Sequence, residues 1–231
     1  MTQDEMKLAA ASYALDRFIT SNIFLGLGSG STAEIFLAEL AARVNRGELE
    51  NITCVATSER VASLAKGYGL QVQELNDVRG LDVTVDGADE VEPSTFNVTK
   101  GRGGALLWEK LVANASKLEI IIADETKLVD RLGTKMPIPV EVIPFGWSHV
   151  AQSLLDMGSE PVLRQRENAP YITDSGNYIL DCQFSNIENA SELADKIKNL
   201  VGVVEHGLFI NIVGRVVIAG TNGAYELPLP N

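Results

Sequence analysis

The chain has 231 residues, of which 45% are hydrophobic, and its formal net charge is −12. That apolar content suffices for one large or two small domains, while the excess of carboxylates disfavours a surface that tracks a nucleic-acid backbone. No apolar run is long enough to span a membrane, and Met1 to Asp16 carries Asp4 and Glu5 in place of an apolar leader. A cytoplasmic protein with neither nucleic-acid nor membrane partners is expected.

Thr2-Gln3-Asp4-Glu5 has capping-box spacing, and Met6, Ala9, Ala10, Tyr13, Ala14 and Phe18 follow at helical period. Lys7 lies near the start of this helix, where a lysine is most often solvated. Ile23 to Leu27 reads as a strand ending in Gly28-Ser29-Gly30-Ser31-Thr32, with a helix over 33–44. Strand 52–56 ends in Thr57-Ser58-Glu59, a helix begins at Val61, and 70–75 reads as another strand. Residues 81–85 alternate, are rich in valine, and run straight into Asp86-Gly87-Ala88-Asp89-Glu90. Lys100-Gly101-Arg102-Gly103-Gly104 then feeds an apolar run and a helix carrying Glu109. Leu118 to Ala123 is a strand ending in Asp124-Glu125-Thr126-Lys127. Strands alternating with helices imply a parallel sheet, whose ligands bind outside the carboxyl ends of the strands.

Beyond Arg131, Pro137-Ile138-Pro139 and Pro144 mark an extended connector. Strand 140–145, helix 147–157, strand 160–166, a hairpin turning at Asp174-Ser175-Gly176-Asn177, helix 189–199 and strand 201–205 follow. That is the β-α-β-β-α-β order of a ferredoxin-like unit, complicated by the hairpin at 171–184. Residues 208–219 are strongly apolar with a break at Gly214, and read as a hairpin rejoining the first part of the chain.

Gly28-Ser29-Gly30-Ser31-Thr32-Ala33 fits a dinucleotide-loop spacing, yet the second strand ends Ala56-Thr57-Ser58, without the ribose-binding acid. The P-loop lysine is absent too. What remains is a small-residue loop offering N–H groups and the hydroxyls of Ser29, Ser31 and Thr32, suited to a phosphate monoester; a tight turn needing glycine is the alternative. Asp86, Asp89, Glu90 and Glu92 have the oxygen ligands for a divalent cation. Against that, Lys100 and Lys127 supply positive charge directly, and two histidines, His149 and His206, are too few for a zinc site, so neither metal nor cofactor is expected. Glu90 and Glu92 read as a solvated turn. Asp86 and Asp89 flank Gly87-Ala88, where backbone can approach a ligand closely.

Glu109 has Ala105, Leu106, Val112 and Ala113 as its helical neighbours, all apolar. Such a setting desolvates the carboxylate and raises its pKa toward general-base range; a rim glutamate paired with a lysine is the alternative. Lys110 reads as solvated, Leu107 and Trp108 as core, both histidines as structural, and Cys54 and Cys182 as buried reduced thiols.

Together, Gly28 to Thr32, Asp86 to Glu90, Lys100 to Leu106, Glu109-Lys110, Ala123 to Lys127 and Pro139-Val140-Glu141-Val142-Ile143-Pro144 closely resemble ribose-5-phosphate isomerase, type A. The similarity runs in order from the first helix to Gly202-Val203-Val204. It implies a Rossmann-like parallel-sheet domain over 1–133 plus 206–231, with an inserted smaller ferredoxin-like α+β domain over 134–205. It also implies metal-independent interconversion of D-ribose 5-phosphate and D-ribulose 5-phosphate through an enediolate, in the non-oxidative pentose phosphate pathway, by a homodimer or homotetramer whose partner is a small sugar phosphate.

By that resemblance Glu109 shuttles the proton between C2 and C1. Asp86 and Asp89, with Gly87 and Ala88, bind the sugar hydroxyls and assist ring opening. Lys100, with the N–H groups of Gly101, Arg102 and Gly103, stabilises the enediolate oxygen. Ser29, Gly30, Ser31 and Thr32 hold substrate near its phosphate, and Lys127 and Lys7 add positive charge. Arg102 stands where the family often has glycine, and Trp108 where arginine is expected. A deaminase-isomerase of amino-sugar phosphates would favour a histidine in the motif region, and a sugar-phosphate sensor need not keep Glu109; neither rival fits as well.

Overall fold

The computed structural model describes residues 1–230. Among them the first part of the chain forms α1 (Gln3–Phe18), β1 (Ile23–Leu27), α2 (Ser31–Asn45), β2 (Ile52–Ala56), α3 (Glu59–Gly67), β3 (Gln71–Val72), β4 (Val83–Asp86), β5 (Glu90–Val91), β6 (Val98–Thr99), α4 (Leu106–Asn114) and β7 (Glu119–Asp124). There follow β8 (Ile138–Val142), α5 (Trp147–Asp156), β9 (Ser159–Leu163), β10 (Gln165–Arg166), β11 (Ala169–Pro170), β12 (Tyr178–Phe184), α6 (Ala190–Lys198), β13 (Val203–His206), β14 (Leu208–Phe209), β15 (Arg215–Gly220) and β16 (Gly223–Glu226). No described helix is long and apolar enough to cross a membrane.

The chain divides into two compact units. The first comprises Met1–Ala88, Trp108–Leu128 and Ile212–Asn231, and holds a seven-stranded sheet in the order β16-β15-β7-β4-β1-β2-β3, parallel except for β16. Every residue of β4 and β7 is buried, as a strand covered on both faces requires, so Thr84, Asp86, Glu119 and Asp124 lie inside with the valines and isoleucines. The capping box of α1 is formed: the Thr2 hydroxyl accepts from Glu5 N–H at 3.3 Å, and the Glu5 carboxylate accepts from Thr2 N–H at 2.6 Å. Small Ala10, Ala11 and Ala14 on its inner face join Leu25, Phe36, Leu40, Ile120 and Val217 in one core. Each fully buried Phe or Leu there contributes about 1.5–3 kcal/mol. From β1 the chain steps outward through β2 and β3, and from β4 it steps the other way through β7 and β15, so the sheet reverses between β1 and β4.

The second unit, Asp89–Leu107 with Val129–Asn211, carries a four-stranded antiparallel sheet ordered β13-β8-β12-β9. With α5 and α6 this is the ferredoxin-like β-α-β-β-α-β arrangement, cored by Ile138, Val140, Leu154, Leu180 and Ile197. The extra hairpin is the small β10–β11 ribbon, which turns through Glu167 and Asn168, both at positive φ; the expected one at 171–184 does not form, because Asp174–Asn177 is a turn with no strand paired before it. A third, three-stranded sheet, β14-β6-β5, completes the unit.

Two further sequence expectations change. Only Gln71–Val72 of the expected 70–75 strand pairs, because it lies at the sheet edge with β2 as its one neighbour. The apolar stretch 208–219 is not one hairpin: β14 pairs antiparallel with β6 in the second unit, while β15 lies parallel to β7 in the first, and the hairpin is β15–β16. Relative to the division 1–133 plus 206–231 against 134–205, the compact units place 89–107, 129–133 and 206–211 with the smaller sheet. The bond from Val129 N–H to Val91 O and the β5-β6-β14 ladder tie these stretches together.

Candidate active site

In the first unit the candidate residues gather at the carboxyl ends of β1 and β4, the point where the strand order reverses. Gly28 N–H donates to Val85 O, and one Asp86 oxygen accepts from Ser29 N–H at 3.0 Å and from Gly87 N–H at 2.7 Å. A Cβ on Gly28 would lie 2.1 Å from that oxygen, so only glycine lets the loop meet the carboxylate. Gly30 has φ +101° and precedes α2, leaving Ser31 exposed and Thr32 half-buried on its first turn.

Two residues that sequence reasoning left without a role support this loop. The Ser29 hydroxyl lies 2.8 Å from each of the hydroxyls of Thr57 and Ser58, and Ser58 also caps α3. Their signal was the position of Thr57-Ser58 at a strand end, beside the β1 loop.

Glu109 is buried on α4, and its helical neighbours Leu106, Val112 and Ala113 are buried with it. The apolar surround expected from spacing is therefore present. Lys110, expected in solvent, is buried instead. Trp108 is half-buried and lines a cavity of about 590 Å³ with Val55, Lys66 and Leu111. At the end of β7, Asp124 accepts from the Thr126 hydroxyl, from Thr126 N–H at 3.0 Å and from Gln3 at 3.3 Å. Burial works against its charge, but these bonds and Lys127 outweigh it and hold the carboxyl below its usual range. Lys127 is half-buried, and Lys7 sits 3.4 Å from Asp4.

In the second unit Lys100 is buried, its ammonium 5.6 Å from the centre of the Phe209 ring, and its N–H donates to Gly207 O. Gly101 and Gly104 have φ of +103° and +86°, which accounts for two of the loop glycines. Asp89 accepts from Arg102 N–H at 2.9 Å, so that N–H faces a carboxylate of the protein. Arg102 and Gly103 are exposed.

Glu90, expected in a solvated turn, is wholly buried; its carboxylate takes the N–H groups of Gly133, Lys135 and Met136. Those bonds remove it from any cation-binding set. Among the described residues no cluster of three or more His, Cys, Asp or Glu side chains could hold a metal. His206 is buried, and its Nδ1 accepts from Leu208 N–H at 3.2 Å.

In the first unit buried carboxylates beside glycine-built loops can move protons, and in the second a buried lysine beside such a loop can steady an oxyanion. The sequence profile of ribose 5-phosphate isomerase A (phosphoriboisomerase A) matches residues 53–223. A ribose-5-phosphate isomerase A of Synechococcus sp. (strain JA-3-3Ab) is 46% identical over 225 residues, 97% of each chain. The solved D-ribose-5-phosphate isomerase in complex with phospho-erythronic acid superposes with TM-score 0.96 at 38% identity, covering 99% of this chain and 100% of that one. The Methanocaldococcus jannaschii ribose 5-phosphate isomerase A gives 0.93 at 39% identity, with the same coverage. The chain belongs to the ribose 5-phosphate isomerase A family.

Proposed function

We infer that the protein interconverts D-ribose 5-phosphate and D-ribulose 5-phosphate by proton transfer through an enediolate, without a metal. The observation that carries the reading is Glu109, a carboxylate buried among apolar side chains on the helix that follows the Lys100–Gly104 loop. Glu109 takes the C2 proton of the open-chain aldose and returns it to C1. Lys100 and loop N–H groups stabilise the negative oxygen that develops between these steps. Asp86 and Asp89 bind the sugar hydroxyls, assist ring opening and carry the hydroxyl proton. Ser29 to Thr32 and the start of α2 hold substrate near its phosphate, with Lys127 and Lys7 adding positive charge.

An assay in excess EDTA tests this directly. Wild-type protein converts ribose 5-phosphate, and Glu109→Gln loses roughly 10²–10⁴ in kcat with KM little changed. Equal turnover by the two would remove Glu109 from the chemistry, and no conversion by folded wild type would sink the isomerase reading.

The protein works in the cytoplasm as a homodimer or homotetramer. Two buried free cysteines suit a reducing compartment. Phe145 and Val201, 91% and 96% exposed, lie on segments joined by the bond from Ile143 N–H to Gly202 O, an apolar surface that self-association would cover. A light-scattering mass equal to one chain would overturn the assembly.

A further inference from the structure

Three successive carbonyls of the Lys100–Gly104 loop are held by side chains no motif singled out. Arg164, directly after β9, points its guanidinium into the loop: Nη1 donates to Gly101 O at 2.9 Å and to Arg102 O at 3.1 Å. Its other edge forms a two-bonded fork with Asp181 on β12, Nε to Oδ2 at 2.9 Å and Nη2 to Oδ1 at 2.5 Å. The next carbonyl, that of Gly103, accepts from the Tyr171 hydroxyl at 3.3 Å, and the Tyr171 ring centre lies 5.9 Å from the Arg164 guanidinium carbon. Burial, and then the charge of Asp174, raise the Tyr171 phenol above its ordinary value, which keeps it a donor.

A trans peptide is planar, with its C=O and N–H pointing in opposite directions. Holding the carbonyl of Gly101 therefore aims the N–H of Arg102, which donates to Asp89 at 2.9 Å. Holding the carbonyl of Arg102 aims the N–H of Gly103. A cation at each carbonyl also draws electron density from the peptide and strengthens the N–H as a donor. Gly103 has neither positive φ nor any atom within 4 Å of where a Cβ would stand, so neither backbone nor packing demands glycine there. Open space beside an aimed N–H is what an approaching ligand needs.

We propose that Arg164 is a positioning residue for the isomerisation, its guanidinium orienting and polarising two peptides so that the Gly103 N–H meets the enediolate oxygen and the Arg102 N–H fixes Asp89. This rests on the oxyanion role assigned above to the Lys100–Gly104 loop. Lysine cannot replace it, because one ammonium cannot hold a carboxylate fork and two carbonyls together.

The test compares ribose 5-phosphate kinetics, and inhibition by phospho-erythronate and by inorganic phosphate, in wild type, Arg164→Lys, Tyr171→Phe and Lys100→Ala. The carboxylate of phospho-erythronate mimics the charge of the enediolate; inorganic phosphate lacks that group. Arg164→Lys lowers kcat roughly tenfold to a hundredfold, less than or about the loss of a direct oxyanion donor, and keeps KM within about threefold. It weakens phospho-erythronate by the same factor as kcat and leaves phosphate inhibition unchanged. Tyr171→Phe, which removes one hydroxyl and folds without a cavity, shows the same pattern at about two- to fivefold.

A raised KM with kcat intact, or equal weakening of both inhibitors, would overturn the proposal. So would unchanged kinetics in Tyr171→Phe should Arg164→Lys not fold. If Lys100→Ala also leaves kcat and phospho-erythronate binding intact, the oxyanion reading itself falls; an effect at Lys100 with none at Arg164 overturns only the positioning role.

Discussion

Glu90 and Gly133 are joined by a hydrogen bond of 2.5 Å, from the Gly133 N–H to a carboxylate with no exposure to solvent. The second Glu90 oxygen accepts from Lys135 N–H at 2.5 Å and Met136 N–H at 3.2 Å, and the Thr99 hydroxyl donates to the first at 3.3 Å. An ionised carboxylate is acceptor only, so it can meet these donors on both oxygens, and their number offsets its desolvation.

Glu90→Gln turns one acceptor into a donor and sets it against N–H groups that cannot move away. The variant should lose about 1–3 kcal/mol of stability. Urea unfolding would show this as a lower midpoint at unchanged slope. A midpoint equal to wild type would mean that the backbone at 133–136 finds other partners.

Glu141 is the opposite case. One of its oxygens accepts from Thr173 at 2.8 Å and Asn177 at 2.9 Å; the other is buried without a hydrogen-bond partner among the described residues. Burial, with the charges of Asp174 and Glu205 behind it, outweighs those two bonds and raises the carboxyl above its usual 4.5. A folded-state pKa above the unfolded one means that the folded chain keeps a proton the unfolded chain has lost. Stability from this group is thus full below about pH 4.5 and falls as pH rises through the folded value. Glu141→Gln should match wild type near pH 4.5 and exceed it increasingly toward pH 8, measured as the difference in urea midpoint. A wild type that gains on the variant with rising pH would refute this.

Cys54 and Cys182 have no exposure, and burial pushes both thiols up to about 12. At pH 8 only about one thiol in ten thousand would be thiolate, the reactive form. Native protein should therefore take up no iodoacetamide over hours, and urea should release two equivalents. Labelling of folded protein at the rate of a free thiol would contradict that burial.

The α/β alternation was legible because β1, β2, β4 and β7 sit inside a sheet, where burial favours short stretches rich in apolar residues. The burial of Glu109 was legible because its neighbours on one helix turn are local in sequence. Arg164 and Tyr171 were not, since they reach the loop at 101–103 from more than sixty residues away, and Asp181 acts on it only through Arg164. Glu90 and Lys110 misled for the same reason: what buries a charge is a distant partner or wall, and local polarity suggests only solvent. The stretch 208–219 misled because two short strands of different sheets share one apolar run.

The part of the large sheet that is made after the whole second unit carries β15, which lies between β7 and β16. Before it emerges, every residue of the second unit has been made, while β7 still has a bare flank of Ile120, Ile121 and Ile122, all fully buried in the finished protein. During synthesis the smaller unit can thus fold first, although most of the larger one precedes it. The larger unit waits for β15 with an open, sticky strand. Nascent chains that stall anywhere between β7 and β15 should be clients for a chaperone, whereas chains that have released β15 should not.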